Sequence, residues 1–206
     1  PFASVAVLGS KFLPSKVILD NFHISGGNET IINNVYFSGQ MSVHHADVKI
    51  NRTQFSGSHS DDGLNIKYAN ITIEESRFFG NKVDQLDCDF CKGQLNRNYF
   101  AGIESLKPFA EGTDGVDLSG SKVELSQNVF VNLTDKAISV GELSQVELLN
   151  NSISYSNIGI AVKDGSTATL IENEFRNNLL DVSKYTKKKM YPLPKVIYAK
   201  ARGGVL

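Results

Sequence analysis

Apolar positions recur along this chain in a phrase of fixed length: an aliphatic residue, then, five positions on, a Phe or Ile anchor. The copies run Ile50 to Phe55, Ile73 to Phe78, Leu95 to Phe100, Leu125 to Phe130, Leu148 to Ile153 and Leu170 to Phe175. Successive anchors are 23, 22, 30, 23 and 22 residues apart, so one coil carries an insertion and the others are nearly uniform. A period of this size marks a solenoid, in which each unit buries its apolar face only by stacking on the next.

Two further phrases fill each period. About 14 residues before the anchor stand Leu64-Asn65-Ile66, Leu86-Asp87-Cys88 and Val116-Asp117-Leu118, with Ile138-Ser139-Val140 and Ile160-Ala161-Val162 one residue out of step. Just before the anchor stand Ile71-Thr72-Ile73, Val123-Glu124-Leu125 and Val146-Glu147-Leu148. Alternate apolar positions are the mark of a strand with one buried face, and the intervening Gly, Asn, Asp and Ser supply turns. Two or three short strands per coil, with no helix signal, predict an all-β parallel β-helix of about seven coils, right-handed as parallel crossovers are.

The ends are less regular. Val17 to Phe22 and Ile32 to Phe37 keep the spacing, and the short steps that follow them, 15 and 18 residues, read as compact coils. After Asp181 the repeat stops, and a basic stretch from Lys184 to Pro192 leads to a last strand near Val196-Ile197-Tyr198. The expected organisation is one domain over residues 1–206, with regular coils over about 15–182 and a capping tail over 183–206. Such a tail covers an otherwise open solenoid end.

Composition narrows the function. The chain has 206 residues and 41% apolar content, enough for a continuous core, and no apolar run long enough to span a membrane. With 21 basic and 22 acidic side chains the formal charge is −1, which argues against a nucleic-acid surface and sends attention to local clusters. The start, Pro1-Phe2-Ala3, reads as a processed piece of a larger protein with neighbouring domains. Cys88 and Cys91 form a lone Cys-x-x-Cys, read as structural thiols or a local disulfide.

Three coils repeat acids as well as apolar residues. Asp62, Asp84 and Asp114 align in one column, and Asn65, Asp87 and Asp117 in a second that faces outward between buried neighbours. Coils stack about 4.7–4.9 Å apart, so these carboxylates repel one another unless a cation, a lysine or a shared proton offsets them. Three chemistries are open. Asp61, Asp62, Asn65, Asp84, Asp87, Asp89, Asp114 and Asp117 offer oxygen ligands to Ca²⁺. Two of the carboxylates could instead work as the acid and base of glycoside hydrolysis. Alternatively, Asp62 and Asp114, each before a Gly, only shape turns. A polysaccharide lyase would also need a base of lowered pKa, for which Lys67, Lys92 and His59 are the candidates beside the acids; salt bridging to Asp89 is the plainer role for the lysines.

Asn128-Val129-Phe130, Asn150-Asn151-Ser152-Ile153 and Asn173-Glu174-Phe175 resemble the Asn-rich turns of the right-handed, pectin-lyase-like β-helix superfamily. In those turns stacked Asn side chains form a hydrogen-bonded ladder. The polygalacturonase pattern is met only at Asp61-Asp62, so among enzymes a lyase is favoured over a hydrolase. A closer similarity is to bacterial β-helix modules of unassigned activity, some of which follow spore-coat-protein-H-like kinase domains. It is carried by Asp61-Asp62-Gly63-Leu64-Asn65-Ile66-Lys67, Asp114-Gly115-Val116-Asp117-Leu118-Ser119-Gly120-Ser121, Asp135-Lys136-Ala137-Ile138-Ser139-Val140-Gly141-Glu142 and Gly159-Ile160-Ala161-Val162-Lys163-Asp164-Gly165-Ser166. The expectation is a secreted, cell-surface or envelope module that engages a polysaccharide, uronate-containing if cleaved by calcium-assisted lyase chemistry. The alternative is a non-catalytic structural or adhesion module of a larger surface protein.

Overall fold

The structure, a computed structural model, describes residues 2–10, 12–13, 15–102 and 112–200; most of the insertion between Phe100 and Phe130 lies outside them. Three parallel sheets of eight, eight and seven strands run the length of the chain, so seven coils contribute to all three and an eighth to two. The first sheet includes Gly39–His44, Asp62–Lys67, Asp84–Asp89, Val116–Ser119, Lys136–Gly141 and Ile158–Lys163. The second includes Asn70–Glu74, Lys92–Asn96, Lys122–Ser126, Gln145–Leu149 and Thr167–Ile171, and the third carries the anchors. This is the parallel β-helix that the period predicts.

Register explains why the repeat tolerates its offsets. Val116 pairs with Ile138 and Asp117 with Ser139, so the phrase that is out of step with its anchor is in step within the sheet. The extra residue is absorbed at the corner. Glu142 and Leu143 both have positive φ there, as do Asp164 and Gly165 one coil later, where earlier coils bend at a single such residue, Tyr68, Phe90 or Gly120.

Inside the tube, like residues stack on like. Phe55, Phe78, Phe100 and Phe130 form one column of fully buried rings with centroids 4.8–4.9 Å apart. Beside it the expected Asn ladder is present, with Asn151 rather than Asn150 as its member. Asn98, Asn128, Asn151 and Asn173 each accept, through Oδ1, the backbone N–H one coil earlier at 2.9–3.0 Å. Asn128→Ala would leave the Asn98 N–H buried without its acceptor, at about 1–3 kcal/mol. Urea unfolding should report that loss, whereas an exposed-face control such as Glu124→Ala should be close to neutral.

Three expectations need correction. Ile32 to Phe37 is not a coil but a hairpin, Thr30–Ile32 paired antiparallel with Val35–Phe37. Its two-residue loop, Asn33-Asn34, has positive φ at both positions, the type I′ geometry that Asn favours. The anchor of the first coil is Ile24, which pairs with Phe55, while Phe22 is exposed. Finally, the repeat does not stop at Asp181: Leu180–Tyr185 and Lys195–Ala199 pair in parallel with the preceding coil and continue the first and second sheets.

Cys88 and Cys91 are disulfide-bonded and fully buried. The bond closes the corner between Asp84–Asp89 of the first sheet and Lys92–Asn96 of the second. It thereby fixes how the outer faces of those two sheets meet.

Candidate functional site

The acid columns lie on the first sheet as read. Asp62 pairs with Asp84, and Asp87 pairs with Asn65 on one side and Asp117 on the other. Parallel pairing without a slip puts identical phrase positions side by side, so the sequence alignment becomes a spatial row. What the sequence did not convey is how deeply this row is enclosed. The hairpin lies against its N-terminal end, where Phe37 stacks on His44 at 4.9 Å and His44 Nε2 bonds Asn65 Oδ1 at 2.9 Å. Asn65 is consequently fully buried, its Nδ2 donating to Asp87 Oδ2 at 2.7 Å.

Of the eight ligand candidates the structure gathers three. Asp84, Asp114 and Asp117 each offer a carboxylate oxygen, all within 4.8 Å of one another. Asp62 and Asp87 adjoin them in register, whereas Asp61 is exposed, Asp89 is tied to Lys67 and Asn65 has its amide engaged. Two buried oxygens at the cluster have no hydrogen-bond partner among the described residues: Oδ1 of Asp117 and Oγ of Ser139, its register neighbour on the next strand. Ser139 is completely buried on the same outward row.

The turn-shaping role proposed for the Asp-Gly pairs is partly present. Asp84 Oδ1 accepts the Asp114 N–H at 3.0 Å, Asp114 Oδ1 accepts the Lys136 N–H at 2.9 Å, and Asp62 Oδ2 accepts the Ser38 hydroxyl at 2.5 Å. The glycines serve close approach rather than left-handed φ: a Cβ on Gly115 would stand 2.5 Å from the Ala137 carbonyl oxygen. Neither role gives Asp117 a hydrogen-bond donor.

Electrostatics mark the row as short of positive charge. Burial, reinforced by the charge of Asp114, pushes the Asp84 carboxyl up to about 9. Burial raises Asp62 to about 7 against the Ser38 hydrogen bond, and Asp114 to about 6 against Lys136. Asp87 is raised well above the carboxylate range, by burial and then by Asp62 and Asp89. Three lysines border the row. Lys136 Nζ is 3.1 Å from Asp114 and also contacts Asp135, and Lys67 Nζ is 2.9 Å from Asp89. Lys163 Nζ is 3.9 Å from Asp117 Oδ1, near enough to attract but too far to hydrogen-bond.

These shifts fix a pH dependence. The folded-state values lie above the ordinary 3.8, so between about pH 4 and pH 9 the folded chain holds protons that the unfolded chain has released. The cluster therefore costs nothing below about pH 4, and its penalty grows as pH rises through 6 to 9. In chelator, the thermal midpoint is expected to fall by several degrees between pH 5 and pH 8.5. A midpoint that rose across that range would contradict the assignment.

The catalytic candidates do not converge. Burial would lower the Lys67 pKa, but the hydrogen bond and charge of Asp89, with Asp87 and Asp62, outweigh it and hold the ammonium charged. That is the reverse of what a proton-abstracting base needs at neutral pH. Lys92 stands on the second sheet, beside Lys122 and around the disulfide corner from the acids. His59 is exposed, its backbone N–H bonded to the Gly27 carbonyl. Lys136 and Lys163 were missed, although aligning Ile138 with Val116 would have put Lys136 next in the column after Asp62, Asp84 and Asp114.

A family profile described as "Periplasmic copper-binding protein (NosD)" matches residues 16–195, nearly the whole described solenoid. The chain belongs to the NosD family. That family is a right-handed parallel β-helix family of the pectin-lyase-like fold, which agrees with the three stacked parallel sheets. No curated protein and no solved structure matches the chain. NosD membership assigns the chain to the secreted or envelope compartment, where a buried disulfide such as Cys88–Cys91 persists. Among the described residues no helix is long and apolar enough to cross a membrane. The coarse functional statement is an extracytoplasmic β-helix module with an enclosed acidic row.

Proposed function

We propose that this NosD-family module holds a hard divalent cation, Ca²⁺ in the first instance, between Asp84, Asp114 and Asp117, and through it engages a uronate-containing polysaccharide. The observation that carries the reading is the pair of partnerless buried oxygens, Asp117 Oδ1 and Ser139 Oγ, at a cluster of three carboxylates. Buried polar atoms in folded proteins have partners, and a cation among those oxygens would be one. It would also offset the burial that, with the neighbouring carboxylates, raises these carboxyl pKa values.

The donors decide which metal. The family's description names copper, and copper sites draw on imidazole, thiolate or thioether. Here the cluster is all oxygen, both cysteines are consumed in the disulfide, His44 is bonded to Asn65 and His23 to Ser56. This set does not fit copper; carboxylate and hydroxyl oxygens suit Ca²⁺ or Mg²⁺. A cation on the outward face, with Lys163 beside it, supplies charge complementary to a uronate carboxylate.

Thermal melting with and without Ca²⁺ tests the reading. At a hundred times Kd, binding to the folded state alone stabilises by about 2.7 kcal/mol, which moves the midpoint of a chain this size by about 5–10 °C. Calcium should then add an oligouronate-binding event that Asp84→Asn with Asp117→Asn removes, and no midpoint shift at millimolar calcium would remove the proposal.

A second reading is favoured by one observation: Asp84 and Asp114 stand on adjacent strands with carboxylate oxygens within 4.8 Å and both raised by burial, a close carboxyl pair of the kind glycoside hydrolysis uses. New reducing ends released from a polysaccharide in chelator would favour it over cation binding.

A further inference from the structure

The outer face of the second sheet carries a groove of about 740 Å³, around the disulfide corner from the acids. Its floor is built from four consecutive strands, Lys92–Asn96, Lys122–Ser126, Gln145–Leu149 and Thr167–Ile171. Register sets two like charges side by side twice over. Lys92 is the direct partner of Lys122, and on the neighbouring row Glu124 is the direct partner of Glu147. Like charges directly opposite in a sheet destabilise it, and none of these four side chains has an ion pair or side-chain hydrogen bond among the described residues. Gly93, which also lines the groove, has φ +136, and a Cβ there would stand 1.9 Å from the Ile71 carbonyl oxygen, so no side chain can fill the floor beside Lys92.

We infer that this groove is a second glycan-binding site, one that takes a carboxylate-bearing polysaccharide along the solenoid axis without a metal. The paired ammonium groups of Lys92 and Lys122 suit one carboxylate lying between them. The paired carboxylates of Glu124 and Glu147 are acceptors only, and hydroxyl-rich rings supply the donors they lack. Gln145 and Thr169 continue the two rows in register with groups that both donate and accept. Strand spacing of about 4.7–4.9 Å repeats each row at close to the rise of one sugar in an extended chain. A bare polyanion such as nucleic acid would satisfy the lysines but meet the glutamates as repulsion.

The inference rests on the reading above for the class of polymer, not for the acidic row. Its test is therefore run in chelator, by calorimetric titration of the whole chain with a soluble oligogalacturonate and with its carboxyl-reduced, neutral counterpart. The intact protein should bind the first and bind the second at least ten-fold more weakly. Lys92→Gln with Lys122→Gln should weaken binding at least ten-fold, and Glu124→Gln with Glu147→Gln should also weaken it, because the acceptors are lost. Asp84→Asn with Asp117→Asn should leave it unchanged, which separates failure here from failure of the cation site. Four results would overturn the inference: no binding in chelator, equal binding of the neutral polymer, equal binding of a single-stranded DNA oligomer, or tighter binding after the glutamate changes. All four substituted positions in the groove are exposed, so the variants should fold, and an unchanged thermal midpoint checks that.

Discussion

Phe100→Ala is expected to lower the unfolding free energy by about 3–5 kcal/mol, the largest single-residue effect in this fold. The ring is fully buried between Phe78 and Phe130, at 4.9 and 4.8 Å. Collapse around the missing ring is resisted, because the backbone on both sides is pinned by the Asn98 and Asn128 ladder bonds. Where a site relaxes poorly, the cavity term adds to the lost transfer energy. Phe175→Ala removes the same group from the last position of the column, where burial is only partial. Urea unfolding should therefore find it at least 1 kcal/mol or so milder. Equal losses at the two positions would show that the interior of the column is not what holds the coils together.

Asp84→Asn with Asp117→Asn is expected to do two opposite things. It should abolish the calcium response, because two of the three clustered carboxylates lose their charge while the amide oxygen introduced at position 84 can still accept the Asp114 N–H. It should also stabilise the cation-free protein at pH 8 by about 1–4 kcal/mol, because folding no longer has to hold on Asp84 a proton that the unfolded chain has released. The stabilisation should shrink as pH falls toward the ordinary carboxyl value of 3.8, below which Asp84 is protonated in both states. Melting curves in chelator and in calcium at the two pH values report both effects. Destabilisation in chelator at pH 8 would mean that the carboxylates are satisfied as they stand.

Much of this was legible before any coordinates. A period of 22 to 23 residues predicts the stacked coils because parallel pairing without a slip is the arrangement that buries Phe55, Phe78, Phe100 and Phe130 together. The same logic made the acid columns readable, since a residue two before Leu64 must neighbour the residue two before Leu86. The hairpin was obscured because Ile32 and Phe37 happen to share the coil spacing; Asn33-Asn34 was the local signal for a reversal. Enclosure was not legible at all. Nothing in the order of residues says that Phe37 stacks on His44, that Asn65 is thereby fully buried, or that Ser139 ends beside Asp117 without a partner. Lys67 was legible in its plainer role: the salt bridge to Asp89 expected from the sequence is present at 2.9 Å, and it holds the lysine pKa up.

The central claim is that the acidic row completes its coordination with a hard cation. Calorimetric titration of Ca²⁺ into the chelator-stripped chain at pH 7, in two buffers of different ionisation enthalpy, tests it directly. The account predicts saturable binding with a single site per chain and protons released to the buffer, since Asp84, at about 9, gives up its proton to the ion. Folded protein that takes up no calcium at millimolar concentration, or binds it without releasing protons, would contradict the account.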